Sequence, residues 1–200
     1  MNQANIILAS QSPRRKELLS KHGINFSVFV TDADETVTEP MSPRELVEEL
    51  SYRKAKSAAQ VFSGDSVLII AADTVVALDN EIFGKPEDEE DARRMLGKLS
   101  GRAHSVFTGV TLAYVDKQTV AYKTTVCETK VYFYPITEAE LTEYLGTGEP
   151  YDKAGSYAIQ GIASKFVEKI EGDFDNVVGL PVSAIIEDIK QYLQKGESAC

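Results

Sequence analysis

Apolar residues recur along this chain with two spacings, and the alternation between the two sets out its elements. "NIILAS" is a short apolar run of strand type, followed after a polar turn by "PRRKELLSKHG", a helix with Leu18 and Leu19 inward and Gly23 as its stop. "NFSVFVTDADET" alternates as a strand and empties into an acidic turn. "SPRELVEELSYRKAKSAAQVF" predicts a long helix in which Ser42 caps, Pro43 opens, Glu45 closes a capping box, and Leu46, Val47 and Leu50 form the apolar stripe. "SVLIIAADTVVAL" is apolar on both sides of a single acidic residue and predicts the most buried strand, with "DNEIFGKP" as the turn after it.

The second half of the chain is richer in β-type sequence. "EDEEDARRMLGKLSG" predicts a helix with acids in its first turn and arginines later, as the helix dipole favours. "HSVFTGVTLAYVD" and "TVAYKTTVCETKVYFY" are long strands separated by a polar turn, so a hairpin is expected. "ITEAELTEYLGTGEP" predicts a short helix with a capping box at Thr137 and Glu140, and "YDKAGSYAIQG" a polar, glycine-rich loop. "SKFVEKIEGDFDNVVGLP" reads as two strands about an "EGD" turn, and "VSAIIEDIKQYLQKG" closes the chain as an amphipathic helix. Strands and helices are mixed without regular alternation. An α/β or α+β domain with a mixed sheet is therefore expected, rather than a doubly wound parallel one. A boundary near the midpoint is the alternative, since the long strands cluster after residue 104.

Composition narrows the class. With 43% hydrophobic and 26% charged residues, 200 residues suit one domain with a substantial core. A net charge of −10 repels a phosphate backbone, so general nucleic-acid binding is disfavoured. Cys127 and Cys200 are far apart and fit no metal spacing, which favours a reducing compartment over a disulfide scaffold. The longest apolar run, Val67 to Ala72, is too short to cross a bilayer, and no basic segment precedes the first apolar stretch. A cytoplasmic protein is the expectation.

Against that acidic background a few residues stand out. In "ILASQSPRRKELL", Ser12 as N-cap and Pro13 as first helical residue put Arg14 and Arg15 at the positive end of a helix, where acids are the usual choice. A bound anion would turn that repulsion into attraction. Asp73 lies at the end of "VLIIAAD", where a carboxylate needs compensation by a cation unless it has emerged to cap the next turn. Asp32, Asp34 and Glu35 follow another strand; they form either a solvated loop or, for Glu35 together with Asp73, a carboxylate pair for a hard cation such as Mg²⁺. Lys54 and Lys56 read as helix-surface lysines, Lys85 projects from the "GKP" turn, and Lys153 sits in the glycine-rich loop. His22 near a helix end and His104 in a turn have no metal-binding partner by spacing. Neither "GxxxxGK[ST]" nor "GxGxxG" is present, so a phosphate site would be built another way. From the residues alone, a metal-assisted phosphate enzyme is the reading, with no substrate named.

Taken together, "SQSPRR", "AADTVV", "GKP", "LSGRAHSVFTGV", "DKAGSYAIQG" and "GDFDNVVGLP" resemble the Maf family of nucleoside triphosphate pyrophosphatases, in the family's order from residue 6 to about 185. The resemblance implies an α/β fold like that of the inosine-triphosphate pyrophosphatases (Maf/HAM1-like): an elongated mixed sheet flanked by helices, with two lobes around a cleft. Residues 1–195 would form this one domain and 196–200 a flexible tail. It also implies hydrolysis between the α and β phosphates, giving a nucleoside monophosphate and pyrophosphate, with Mg²⁺ or Mn²⁺ as cofactor. By the same resemblance Asp73 is the proton-accepting carboxylate and Glu35 an acidic residue at the metal, the two together being the expected metal ligands. Ser10, Arg14, Lys54 and Lys85 fall on phosphate-contacting positions, and Arg14, Thr74 and Gln160 on positions linked to substrate choice. Arg14 is the arginine expected to meet the triphosphate; Arg15 is expected to be structural.

Lys153 and Gln160 in "DKAGSYAIQG" resemble the branch acting on dTTP, UTP and modified pyrimidine analogues. A glutamine amide donates and accepts together, which suits a pyrimidine's carbonyl and imide N–H. Ser156 and Ala158 depart from that branch, which often has Ala and Gly there, as does "GIAS" after Gln160. Two alternatives stay open: the same reaction on 7-methyl-GTP or other modified triphosphates, and a non-catalytic nucleotide sensor that regulates division. The family's link to cell-division arrest, and a role in keeping modified nucleotides from incorporation, belong to the same resemblance. The expected partner is the nucleoside triphosphate, with neither nucleic acid nor membrane; a homodimer is compatible with the sequence.

Overall fold

The computed structural model describes residues 5–117 and 119–198. Its sheet contains β1 (Asn5–Leu8), β2 (Ser27–Val28), β3 (Ser66–Leu78), β4 (Glu81–Phe83), β5 (Ala103–Asp116), β6 (Thr119–Phe133) and β7 (Val167–Glu171). The strand order is β2-β1-β3-β5-β6-β7, with β4 paired to β3. β1 runs parallel to β2 and β3, whereas β3–β4 and β6–β7 are antiparallel. The sheet is thus mixed, as the irregular alternation of elements implies. The helices are α1 (Pro13–Lys21), α2 (Pro43–Val61), α3 (Glu89–Leu99), α4 (Glu138–Leu145), α5 (Phe174–Val178) and α6 (Ile186–Ser198).

Helix starts follow their caps. The Ser12 hydroxyl accepts from the Arg15 amide at the head of α1, Ser42 and Glu45 close a capping box on α2, and Thr137 and Glu140 do the same on α4. On α3, Asp88 is the cap, and the buried residues Ala92, Met95, Leu96 and Leu99 fall on one stripe.

Two compact units emerge, and a single cut near the midpoint does not separate them. One comprises the chain up to Asp73, Thr108–Cys127 and the chain from Gly179; the other comprises Thr74–Phe107 and Glu128–Val178. β3, β5 and β6 each supply residues to both. In the first unit, Ile7 and Ala9 of β1 and its exit, with Val67, Ile69 and Ala71 of β3, pack with Ala55, Ala58 and Ala59 of α2. Alanines on the helix let it lie close to the sheet. At Gly109 in β5, a Cβ would come within 2.2 Å of the Val47 carbonyl oxygen, so only glycine fits beneath α2. In the second unit, Phe83, Leu96, Leu99, Phe133, Tyr144, Tyr157 and Phe166 belong to an aromatic-rich core.

Three sequence expectations need correction. "GDFDNVV" is not a strand: the Asp173 carboxylate accepts from the amides of Asp175 and Asn176 and starts α5. The strand expected across "NFSVFV" shrinks to the two residues of β2. His104 lies not in a turn but in β5, 3% exposed. The tail expected at 196–200 overlaps the end of α6, which continues to Ser198; residues 199 and 200 lie outside those described.

Candidate active site

The first unit gathers its chemistry around Asp73. Side chains alternate faces along a strand, so Asp73 shares a face of β3 with Val67, Ile69 and Ala71, the residues packed with α2. Lys54 of α2 lies on the helix's packed stripe, four residues after Leu50 and four before Ala58. An apolar residue there would extend the core. Instead, Lys54 Nζ stands 2.6 Å from Asp73 Oδ1 and 3.2 Å from Glu35 Oε2. The Lys54 and Asp73 side chains are 14% and 12% exposed, while Glu35 is 58% exposed. Asp73 is therefore mid-strand and ion-paired, and does not cap a turn.

Arg15 forms the frame of this site. Its guanidinium donates to the Ala72 carbonyl at 2.8 Å, the Gly179 carbonyl at 2.8 Å and the Ser10 hydroxyl at 3.2 Å. Three segments distant in sequence are fastened by one side chain, one of them immediately before Asp73. Burial lowers the guanidinium's affinity for its proton, and the nearby Asp73 charge opposes that effect. An arginine starts from so high a pKa that it keeps its charge. Ser10, 9% exposed, also accepts from the Ser12 amide at 3.2 Å, which turns the chain into α1. Arg14 stands in the first turn of α1, half-buried.

The second unit contains the remaining sequence candidates. Thr74 follows Asp73 in β3 and is half-buried. Lys85 is exposed in the turn after β4. Its neighbour Gly84 accepts from the Gly155 amide at 3.0 Å, which brings the "GKP" turn beside the glycine-rich loop. Gly155 has φ +67°, and a Cβ there would come within 2.8 Å of Val76. Lys153 does not project freely: its ammonium donates to the Glu149 carbonyl at 2.7 Å and pairs with Asp152. Gln160 is exposed, in a turn closed by the Gly161 amide donating to the Ala158 carbonyl at 3.2 Å. Beneath this loop, Tyr157 meets His104 Nε2 at 2.8 Å through its hydroxyl. Burial, partly offset by the Arg102 backbone, pushes the His104 pKa down to about 4.

Two carboxylates converge on one ammonium, so the site presents hard oxygen donors around a single cationic position. No group of three or more His, Cys, Asp and Glu side chains able to hold a metal occurs among the described residues. Mg²⁺ is commonly held by one or two carboxylates together with phosphate oxygens and water, and the donors at Asp73 and Glu35 fit that pattern. No described helix is long and apolar enough to cross a membrane.

The site thus consists of a carboxylate on a buried strand, an ammonium opposite it and a serine-capped helix with adjacent arginines, on an α/β fold. Comparison with known families makes the assignment particular. The chain matches the family described as Maf-like protein over residues 5–192 and belongs to it. It is 46% identical to a dTTP/UTP pyrophosphatase of Agathobacter rectalis, covering 93% of this chain and 96% of that one. A dTTP/UTP pyrophosphatase of a Geobacillus species is likewise 46% identical, over 93% and 97% of the two chains. Among solved structures, the Ham1 protein of Staphylococcus aureus aligns with a TM-score of 0.44 at 14% identity, over 81% of this chain and 90% of that one.

Proposed function

We propose that this protein hydrolyses dTTP and UTP, together with modified pyrimidine analogues, to the nucleoside monophosphate and pyrophosphate. Full-length similarity to proteins named dTTP/UTP pyrophosphatases supports the substrate class. The observation that carries the mechanism is the largely buried Asp73 held by Lys54 in the first unit. In this reading, water adds at the α–β phosphoanhydride and its proton passes to Asp73. The bridging P–O bond breaks with its electron pair on oxygen, which leaves a monophosphate and pyrophosphate. Such a reaction needs charge neutralisation more than covalent help, and Lys54, Lys85 and Arg14 are assigned to the phosphates with Ser10.

Asp73 and Glu35 would hold a divalent cation, Mg²⁺ or Mn²⁺. When bound, that cation supplies further neutralisation of charge on the phosphate oxygens. Thr74, Lys153 and Gln160 are assigned to substrate choice. Lys153 acts through its place in the loop, since its ammonium is already engaged by Glu149 and Asp152. Residues 1–195 serve as one enzyme domain in the cytoplasm, and the acidic surface leaves the nucleotide as partner rather than nucleic acid or membrane. A role in keeping modified nucleotides from incorporation follows from the same activity.

Pyrophosphate release from a panel of standard and modified triphosphates, with Mg²⁺ or Mn²⁺, tests this reading. Release from dTTP and UTP above all others is the expected result. Preference for a methylated purine triphosphate would change the substrate. Tight binding with no release from any member would replace the enzyme with a nucleotide sensor.

A further inference from the structure

Gln160 is exposed at the tip of a turn, where a side chain gains no rigidity from packing. The chain after it is gripped two and three residues further on. Glu149 Oε2 accepts from the Ile162 amide at 2.9 Å, and Oε1 accepts from the Ala163 amide at 3.4 Å and from the Tyr144 hydroxyl at 3.1 Å. The carboxylate is pressed against the chain so closely that a Cβ on Gly161 would come within 2.2 Å of Oε1. At its other end, the Glu149 carbonyl receives the Lys153 ammonium at 2.7 Å. One residue thus fastens both ends of the Lys153–Gln160 loop.

We propose that Glu149 is the positioning residue for base selection: it holds the Gly161–Ile162 and Ile162–Ala163 peptides that follow the Gln160 turn, so that the exposed amide is presented in one orientation. This rests on the assignment of Gln160 to the base. A carboxylate offers two acceptors and no donor, as two adjacent amides and a phenol require. Glu149→Gln keeps the shape but turns one acceptor into a donor facing a donor. The latch loosens without loss of the group that touches substrate. A base-reading amide held less firmly discriminates less between a pyrimidine with a C4 carbonyl and one with a C4 amino group.

The experiment compares kcat/KM for dTTP and dCTP in the wild type, Glu149→Gln, Gln160→Ala and the double variant, with thermal melts as a folding control. Glu149→Gln is expected to lower the dTTP/dCTP ratio about five- to twenty-fold, chiefly through the KM for dTTP. In the Gln160→Ala background the same substitution should leave the ratio unchanged, because the residue it positions is gone. An equal loss on both nucleotides would reduce Glu149 to a structural cap and overturn the proposal. A further fall of the ratio in the double variant would also overturn it. If Gln160→Ala alone moves the ratio, only the role of Glu149 fails; if neither variant moves it, the base-reading role of Gln160 fails and Glu149's with it. Should Glu149→Gln not fold, Tyr144→Phe removes one donor to the same carboxylate, and a fall of about two- to three-fold is expected. An unchanged ratio there overturns the proposal.

Discussion

Lys54 Nζ lies 2.6 Å from Asp73 Oδ1, a cation on the packed stripe of α2 facing an anion on the buried face of β3. Lys54 also has Glu35 Oε2 at 3.2 Å and so stays paired when Asp73 is neutralised, whereas removing Lys54 takes this cation from the Asp73 carboxylate. Taking one partner from a buried pair leaves the other uncompensated, at a cost larger than the pair's net contribution.

Lys54→Met is therefore expected to lower stability by about 2–4 kcal/mol, read from urea unfolding midpoints. Adding Asp73→Asn to it should restore much of that loss, because the amide carries no charge to compensate. A double variant no more stable than Lys54→Met would show that the pair is not what stabilises this region.

Arg15→Lys tests the frame. A lysine ammonium has no planar fork with which to reach Ala72, Gly179 and Ser10 at once, despite keeping the charge. The expected loss is about 2–4 kcal/mol, seen as a drop in thermal midpoint, with a fall in turnover because the carbonyl before Asp73 is released. A melt within about 1 °C of wild type would exclude this clamp as a stabilising element.

His104 gives a pH dependence of defined sign. Its folded pKa, about 4, lies below the ordinary 6.5, so the unfolded chain binds a proton that the folded one refuses. The stability tied to the neutral ring is fully present above pH 6.5 and is lost as pH falls towards 4, at up to about 1.4 kcal/mol per pH unit. Urea midpoints of wild type and His104→Gln at pH 7 and pH 5 check it. The wild type should lose more stability over that interval; parallel losses would place the titration elsewhere.

Much of this site could be anticipated in the sequence because its signals are local. The serine caps, the capping boxes and the isolated acid in "VLIIAADTVV" are each contained within a few residues. Lys54 reads as a surface lysine only until its helical spacing from Leu50 and Ala58 is counted, which puts it on the stripe. Other features depend on distant partners. The three acceptors of Arg15 are spread over the chain from residue 10 to residue 179. His104 is buried through contacts with Phe133 and Tyr157, and Glu149 meets amides 13 and 14 residues away. α5 was legible in principle, since Asp173 followed, after three intervening residues, by the apolar pair Val177–Val178 is a helix-start signal.

The most direct test of the account is Asp73→Asn, assayed for pyrophosphate release from dTTP alongside calorimetric binding of the same nucleotide. A fall in kcat of about 10²-fold or more is expected, with affinity within a few-fold of wild type and an intact fold. Near-normal turnover by this variant would contradict it and remove Asp73 from the reaction.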